Sequence, residues 1–548
     1  MPGKPTDLTL FDRADAQALR VPTSCRRTGR CRECVVEVSA GAEHLSPPTP
    51  AESFLRPPFR LACQAAVSPD VEVGFSVVRR RLQIVAPPAE ARTTPVDPMV
   101  TVRDGVVNWG EEPIAQLRAG STPHGLAIDV GTTTVVLELV DLQDGSTVDV
   151  IAIENPQRFG GSDVMNRISY DSTVRRGELR YALRKALNDE LRELYGRRGM
   201  DRRDVFEIVV VGNSTMRDLF FGLDVAPIGE RPYKSITELE LRAGTRDTTA
   251  VSARAHELGL WAHPQARVWG APLIAGHVGA DIAAGILTVA LDSQPNRVSM
   301  LVDVGTNTEV VLAGHGRILA ASCPAGPAFE GGEVTYGMQA AEGAIETLRI
   351  DGDGRFELTT IGGGPAIGLC GSGLIDLLAE LRRTGLMSAK GVFADRAREL
   401  TIDRAAGITF SRADASALAQ AKAANTVGQQ ILLRELGIEA TDVDCLYLAG
   451  GFARHIDVDH AIEIGFLAPV PADRVVKVGN ASVRGARELL LSRSARRRLE
   501  PLAARVEHIE LETSADFFDL FVDGCQFKSM MARGSSSAEE AARRRAAA

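Results

Sequence analysis

One short pattern occurs twice and limits what the chain can fold into. Residues 126–142, LAIDVGTTTVVLELVDL, and residues 301–313, LVDVGTNTEVVLA, share one design. An apolar strand runs through Asp, one further residue and Gly into a tip of small hydroxyl or amide residues, and a second apolar strand follows. Each copy reads as a β-hairpin. Glycine lets backbone approach an anion, and successive N–H groups at a tip can cradle phosphate oxygens. Gly131, Thr132, Thr133 and Thr134 in the first copy, and Gly305, Thr306, Asn307 and Thr308 in the second, are therefore candidate phosphate-binding residues. Asp129 and Asp303 close the first strands at the tips, where a carboxylate can hold hydrated Mg²⁺. One such hairpin is a weak signal, because many turns look like it. Two copies predict two similar lobes facing each other across a nucleotide.

Composition removes several function classes. The chain has 548 residues, enough for several domains, with 45% hydrophobic and 24% charged residues. That is ordinary for a globular protein and excludes a fibre, a coiled-coil rod and a disordered chain. The net charge of −9 argues against general nucleic-acid binding, which needs a basic surface. No apolar run reaches 18 residues and the N-terminus lacks an apolar signal core, so no membrane association is expected and the chain is expected in the cytoplasm.

Four of the eight cysteines, Cys25, Cys31, Cys34 and Cys63, fall within the first 63 residues. In a reducing compartment, clustered cysteines read as metal ligands or redox groups. Their spacing is C-x5-C-x2-C with a remote fourth. It resembles the plant-type two-iron ferredoxin loop, C-x4-C-x2-C and a remote fourth, and the longer first gap resembles the adrenodoxin-like branch. A loop that wraps a two-iron, two-sulfide cluster can supply three thiolates, and the fourth must come from a separate turn. Structural zinc is the alternative, but zinc sites usually present two close pairs and Cys63 has no near partner in sequence. The loop CRRTGRCREC keeps one glycine, Gly29, and carries Arg26, Arg27, Arg30 and Arg32 where ferredoxin loops are glycine-rich. Those arginines either stabilise a reduced cluster, dock an acidic donor, or form a solvated basic loop. Cys323, Cys370, Cys445 and Cys525 are widely separated and read as small buried or incidental thiols.

Four pieces follow along the chain. Residues 1–82 are expected to form a β-grasp ferredoxin-like domain, with VVEVSA and VEVGFSVV as strands. Residues 83–122 read as a linker, Pro-rich at its start and with one hairpin at MVTVRDGVVNW. The Pro-rich stretch 83–98 is expected to serve as a tether that lets a ferredoxin domain with its own separate core swing. Residues 123–527 form a long α/β region, and residues 528–548 a disordered tail.

The paired hairpins resemble the phosphate segments of the superfamily of acetate and sugar kinases, heat-shock chaperones and actin. Further segments of that superfamily occur in the expected order. HVGADIAAGIL (277–287) resembles the first connecting helix, and CLYLAGGFARHI (445–456) the adenosine segment, with Gly450 and Gly451 as its glycines. GNASVRGARELLL (479–491) resembles the second connecting helix, its small residues allowing a close crossing. The resemblance implies a two-lobed actin-like, ribonuclease H-like ATPase fold binding ATP and Mg²⁺. Asp129, Asp303 and Asp281 are the candidates for activating water, each equally readable as a Mg²⁺ or helix-cap residue.

A ferredoxin-like domain fused to this ATPase resembles the reductive activators of corrinoid proteins. NPQRFGGSDVMNRI (155–168), VVVGNSTMRDLFFG (209–222), CPAGPAFEGG (323–332) and CGSGLID (370–376) resemble that family too; for NPQ and GNSTM the readings are the lining of a nucleotide cleft or partner surface, or loop structure alone. The resemblance implies that one electron passes from an external low-potential donor through a 2Fe-2S cluster to cobalt(II) of a corrinoid protein. ATP hydrolysis would drive the step by a change in shape. Two other readings stand beside it: a small-molecule kinase with a redox domain, and a ferredoxin-fused ATP-binding redox sensor. The oligomeric state, including a homodimer, is left open by the sequence.

Overall fold

The apolar runs beside the two glycine tips become the central strands of two sheets. The computed structural model describes residues 8–78, 81–82, 96–394, 396–451 and 453–530. The chain divides into two compact units, residues 1–280 with 486–497, and residues 281–485 with 498–548.

In the first unit the strand His124–Val130 is buried along its whole length. It lies between its antiparallel hairpin partner Thr134–Asp141 and the parallel strand Val205–Gly212. The full sheet runs Val251–Arg254, Arg267–Gly270, Val205–Gly212, His124–Val130, Thr134–Asp141, Thr147–Glu154, Arg81–Leu82. Strands covered on both faces need near-continuous apolar sequence rather than alternation, and LAIDV and IVVVG provide it. The helix Glu178–Arg198 buries Leu179, Leu183, Leu187, Leu191 and Leu194, a stripe at helical spacing, and ends on Gly199 in the left-handed region.

The N-terminal segment folds onto this lobe. Its sheet has the order Phe59–Leu61, Val35–Ala40, Gly74–Val77, all antiparallel. Leu8–Thr9 pairs with Ala66–Val67, and the helix Leu10–Ala16 starts in a Thr9–Asp12 capping box. The two expected strands are present, at Val35–Ala40 and Gly74–Val77.

The expectation of separate cores is wrong. One continuous apolar cluster runs from Leu10, Phe54 and Leu61 to Leu126, Phe159 and Leu183. Phe54 meets Phe159 edge-on at 5.6 Å, and Phe159 meets Tyr170 at 5.6 Å. The Tyr170 hydroxyl donates to the Phe54 carbonyl. Arg32–Glu178 at 2.7 Å and Lys185–Glu33 at 3.2 Å flank this contact, with Arg158–Glu37 beside them. Arg81–Leu82 joins the lobe's sheet edge, opposite Ile153 and Ala152. The segment is packed rather than swung, because a buried aromatic cannot leave its neighbours without exposing them. Residues 83–95 of the expected tether lie outside the described residues. The expected hairpin is part of a three-stranded antiparallel meander, Val100–Arg103, Val106–Trp109, Glu112–Gln116. The expected tail lies outside the described residues from 531 onward.

The second unit repeats the theme. Its sheet runs Val475–Gly479, Cys445–Gly450, Ser299–Val304, Thr308–Gly314, Arg317–Cys323, Glu507–His508. Again a hairpin continues into a third antiparallel strand, with a parallel strand on the far side of the first. The 25-residue helix Arg412–Leu436 covers it. The small residues of the second connecting helix do what the sequence predicts: a side chain at Gly485 would stand 2.4 Å from the Ala284 carbonyl. Thr288 also donates to the Ala481 carbonyl at 2.9 Å. Among the described residues no helix is long and apolar enough to cross a membrane.

Phe54→Ala tests the shared core. It should cost about 3–5 kcal/mol and lower the unfolding midpoint of the first lobe, followed by calorimetry, together with iron retention. Loss of iron with an unchanged lobe transition would mean that the cores are independent.

Candidate functional site

The four N-terminal cysteines converge from two places. Cys25, Cys31 and Cys34 lie on the loop before Val35–Ala40, and Cys63 follows Phe59–Leu61. Cys34 and Cys63 place their sulfurs 3.4 Å apart. Cys25 is paired with Cys31, and burial of its thiol is outweighed by hydrogen bonds from Thr28 and Cys31, which bring it down to about 6. The hydrogen bond from Cys34 likewise brings Cys63 to about 6, helped against burial by Gln64, while Cys34 keeps the shared proton and is pushed up. Thiolates are the form that binds iron. Among the described residues, no group of three or more His, Cys, Asp and Glu is arranged to hold a single metal ion. Two thiol pairs instead match a two-iron cluster, which takes two protein ligands per iron.

The loop bends through the left-handed region at Gly29 (φ 76°) and also at Arg26, Arg27 and Arg32 (φ 55°, 65° and 57°). For arginine this costs about 1–2 kcal/mol per residue. The structure shows what offsets it. Arg27 lies over the Phe11 ring at 4.0 Å and pairs with Asp12 at 3.0 Å and with Asp15. Arg32 lies over Phe54 and pairs with Glu178. Arg26 and Arg30 are exposed and make no ion pair among the described residues. A side chain at Gly29 would crowd Gln64 and Ala51 at 3.0–3.1 Å. Cys25 is the one half-buried thiol of the four, so the loop's open side lies beside Arg26.

The first phosphate tip is held from behind by two asparagines. Asn155, 1% exposed, donates from Nδ2 to the Gly131 carbonyl at 2.8 Å and from its backbone N–H to the Thr133 carbonyl at 2.7 Å. Asn213, the N-cap of the helix Ser214–Phe221, donates to Thr132 Oγ1 at 2.9 Å. A trans peptide is planar, so a held carbonyl turns the next N–H the opposite way. With Gly131 and Thr133 gripped, the N–H groups of Thr132 and Thr134 are set for an anion. Gly131 has no room for a side chain, since a Cβ would lie 2.5 Å from the Thr134 carbonyl. Asp129 is buried at the end of its strand.

The second tip is built differently. Asp303 and Glu309 are directly opposed across the hairpin. Ser482 reaches both Asp303 Oδ2 at 3.5 Å and the Asp281 carbonyl at 3.4 Å. Burial, with Asp281 and Asp303 close by, raises the Glu309 carboxyl well above its ordinary range, and Ser322 bonds it at 3.2 Å. The structure thus brings Asp303 and Asp281 together and adds Glu309, which the sequence reading missed because it falls within an apolar run. Thr306 donates to Glu330 of the CPAGPAFEGG segment. Gly450 (φ 115°) sits beside this tip, where a Cβ would lie 2.1 Å from the Val304 carbonyl, whereas a side chain at Gly451 would meet nothing within 4 Å. Asn155 and Asn213 were also missed as individual site residues, although the NPQ and GNSTM segments that contain them stand out in the sequence. Of the remaining thiols, Cys323 is packed against Gly428, and burial raises it. Cys370 donates to the Ile345 carbonyl at 3.3 Å.

Comparison with known proteins matches three consecutive regions. Residues 3–68 match a 2Fe-2S iron-sulfur cluster binding domain, residues 124–294 the RACo middle region, and residues 297–537 the C-terminal domain of RACo, the ASKHA domain. The corrinoid activation enzyme RamQ of Eubacterium limosum is 29% identical over 430 residues, covering 74% of this chain and 70% of that one. The [Co(II) methylated amine-specific corrinoid protein] reductase of Methanosarcina barkeri is 27% identical over 429 residues, covering 73% and 76%. The solved structure of a reductive activator for corrinoid, iron-sulfur protein superposes with a TM-score of 0.71 at 26% identity, covering 96% of this chain and 97% of that one.

Glu309 yields a test of the second tip. A carboxyl whose folded pKa is raised contributes stability that is fully present below its unfolded value, about 4.3, and is lost as pH rises towards the folded one. Glu309→Gln removes that loss. The variant should match the parent's thermal stability near pH 4, exceed it at pH 8, and show a flatter profile between. A larger parent stability at pH 8 would mean that Glu309 is ionised.

Proposed function

The chain belongs to the reductive activators of corrinoid proteins, and from that membership we propose that it uses ATP to pass one electron from a 2Fe-2S cluster to cobalt(II) of a corrinoid protein, regenerating cobalt(I) for methyl transfer. The observation that carries the reading is the cluster loop and the first phosphate tip lying in one folded unit, with two thiol pairs and a backbone anion cradle.

In this reading Cys25, Cys31, Cys34 and Cys63 hold the cluster, which supplies one electron at low potential when bound. Plant-type two-iron clusters sit near about −400 mV, too high to reduce corrinoid cobalt(II) unaided, so the transfer needs coupling to ATP. The residues of the two tips, Gly131 to Thr134 and Gly305 to Thr308, bind the phosphates of ATP, with Gly450 and Gly451 at the adenosine. Asp129 and Asp303 bind Mg²⁺ through water, and Asp281, which shares Ser482 with Asp303, is a candidate for orienting the hydrolytic water. Glu309, protonated, leaves Asp303 as the charged partner for the cation. The hairpins position ATP and respond to its γ-phosphate without transferring it to a substrate.

The decisive measurement is anaerobic reduction of a cobalt(II) corrinoid protein, read by cobalt(I) absorbance. With strong reductant and no ATP the cluster should reduce and cobalt(I) should not accumulate; with ATP it should. Cys31→Ser should abolish cobalt(I), and Asp303→Ala should impair ATP hydrolysis while keeping iron. Equal cobalt(I) with and without ATP would contradict the coupling.

Arg26 and Arg30, exposed on the cluster loop and without an ion pair among the described residues, favour an acidic protein donor. Changing both to Glu should slow cluster reduction by reduced flavodoxin at least tenfold at low salt, and by less as salt screens the pair. A rate independent of both charge and salt would remove the arginines from docking.

A further inference from the structure

We propose that Asn155 and Gln157 are positioning residues that join the first phosphate tip to the cluster loop, so that nucleotide binding and cluster reduction influence each other within this chain before any corrinoid protein docks. The inference rests on the reading above, that ATP phosphates occupy Gly131–Thr134 and that the four N-terminal cysteines hold the cluster.

The connection is short and buried. Asn155 holds the Gly131 and Thr133 carbonyls, as described, and its Nδ2 also lies 3.2 Å from Gln157 Oε1. Gln157 is 0% exposed and donates from Nε2 to the Leu179 carbonyl at 3.2 Å, in the first turn of the helix Glu178–Arg198. The preceding residue, Glu178, accepts from Arg32 of the cluster loop at 2.7 Å, between Cys31 and Cys34. Two residues on, the Tyr181 hydroxyl donates to the Cys31 carbonyl at 3.5 Å. Arg158 and Phe159 of the same NPQRF segment contact Glu37 and Phe54 of the N-terminal segment. Five consecutive residues thus touch the phosphate tip at one end and the N-terminal segment at the other.

Beside this segment lies a buried charge on which Asp163 acts only without direct contact. Arg167 is 1% exposed, donates to the Gly161 carbonyl at 3.0 Å and reaches Gln157 Oε1 at 3.5 Å, and it makes no ion pair among the described residues. A buried guanidinium without a directly paired carboxylate favours an anion nearby. Phosphate at the tip supplies one, and the hydrogen bonds of Asn155 and Gln157 transmit the adjustment to the helix that braces the cluster loop. Adding an anionic nucleotide to this unit disfavours adding an electron to it, so ATP lowers the cluster's reduction potential. Linkage makes the effect reciprocal: the oxidised chain binds ATP more tightly than the reduced chain by the same factor.

The test uses the full chain with its cluster, titrated anaerobically with dithionite, which supplies the single electron, with and without the non-hydrolysable analogue AMPPNP. Iron, sulfide and AMPPNP binding are measured first. AMPPNP should bind the oxidised form about tenfold more tightly, equivalent to a potential about 59 mV lower. Gln157→Met keeps the shape but removes the hydrogen bonds, and should bind AMPPNP and hold iron while losing most of that difference. Glu178→Gln, at the far end, should reduce it as well and serves if Gln157→Met does not fold. Failure to bind iron or nucleotide overturns the functional reading and this proposal with it. Both bound with equal affinities in the two redox states overturns the proposal alone, as does a difference that survives in both variants.

Discussion

The contact of Phe54 with Phe159 and Tyr170 is what the rest of the first unit depends on. Edge-on aromatic packing fixes distance and orientation together and excludes water from the polar pairs at its border. Around it, Arg32–Glu178 and Lys185–Glu33 are partly buried and set the cluster loop against one helix. Without the aromatic contact those ion pairs would be ordinary surface pairs of small value. With it they tie a loop that carries three arginines in the left-handed region to a rigid neighbour.

The two phosphate tips share a sequence pattern and differ in how they are supported. The first is gripped by two asparagines: the Asn155 side chain and backbone N–H hold the Gly131 and Thr133 carbonyls, and Asn213 holds the Thr132 hydroxyl. The second gathers carboxyls, Asp303, Asp281 and Glu309, the last raised by burial and by the two aspartates. Opposed like charges on a hairpin destabilise it, which accords with the raised Glu309 carboxyl. The same backbone frame thus carries amide and hydroxyl groups at one tip and carboxyls at the other.

Much of this was legible in the sequence. The spacing of Cys25, Cys31, Cys34 and Cys63 determined that a metal cluster was at stake, because few arrangements use three thiols on one loop and one elsewhere. The doubled hairpin determined a duplicated sheet, because a strand–glycine–strand unit with continuous apolar flanks has to be buried on both faces. Gly485 in the second connecting helix was readable as a close crossing, and the structure places it against the Ala284 carbonyl.

Tertiary structure alone decided the rest. That the N-terminal segment is packed on the lobe and not tethered depends on which surface covers Phe54, and nothing in FLRPPFR names that surface. That Arg27 and Arg32 serve the fold while Arg26 and Arg30 face outward depends on partners at Asp12, Asp15 and Glu178, one of them far away in the chain. That the Glu309 carboxyl is raised depends on its burial in the completed fold and on two aspartates brought beside it. Sequence spacing reports what one stretch of backbone can do by itself. Burial, charge and hydrogen-bond partners are set by residues that only the completed fold brings together.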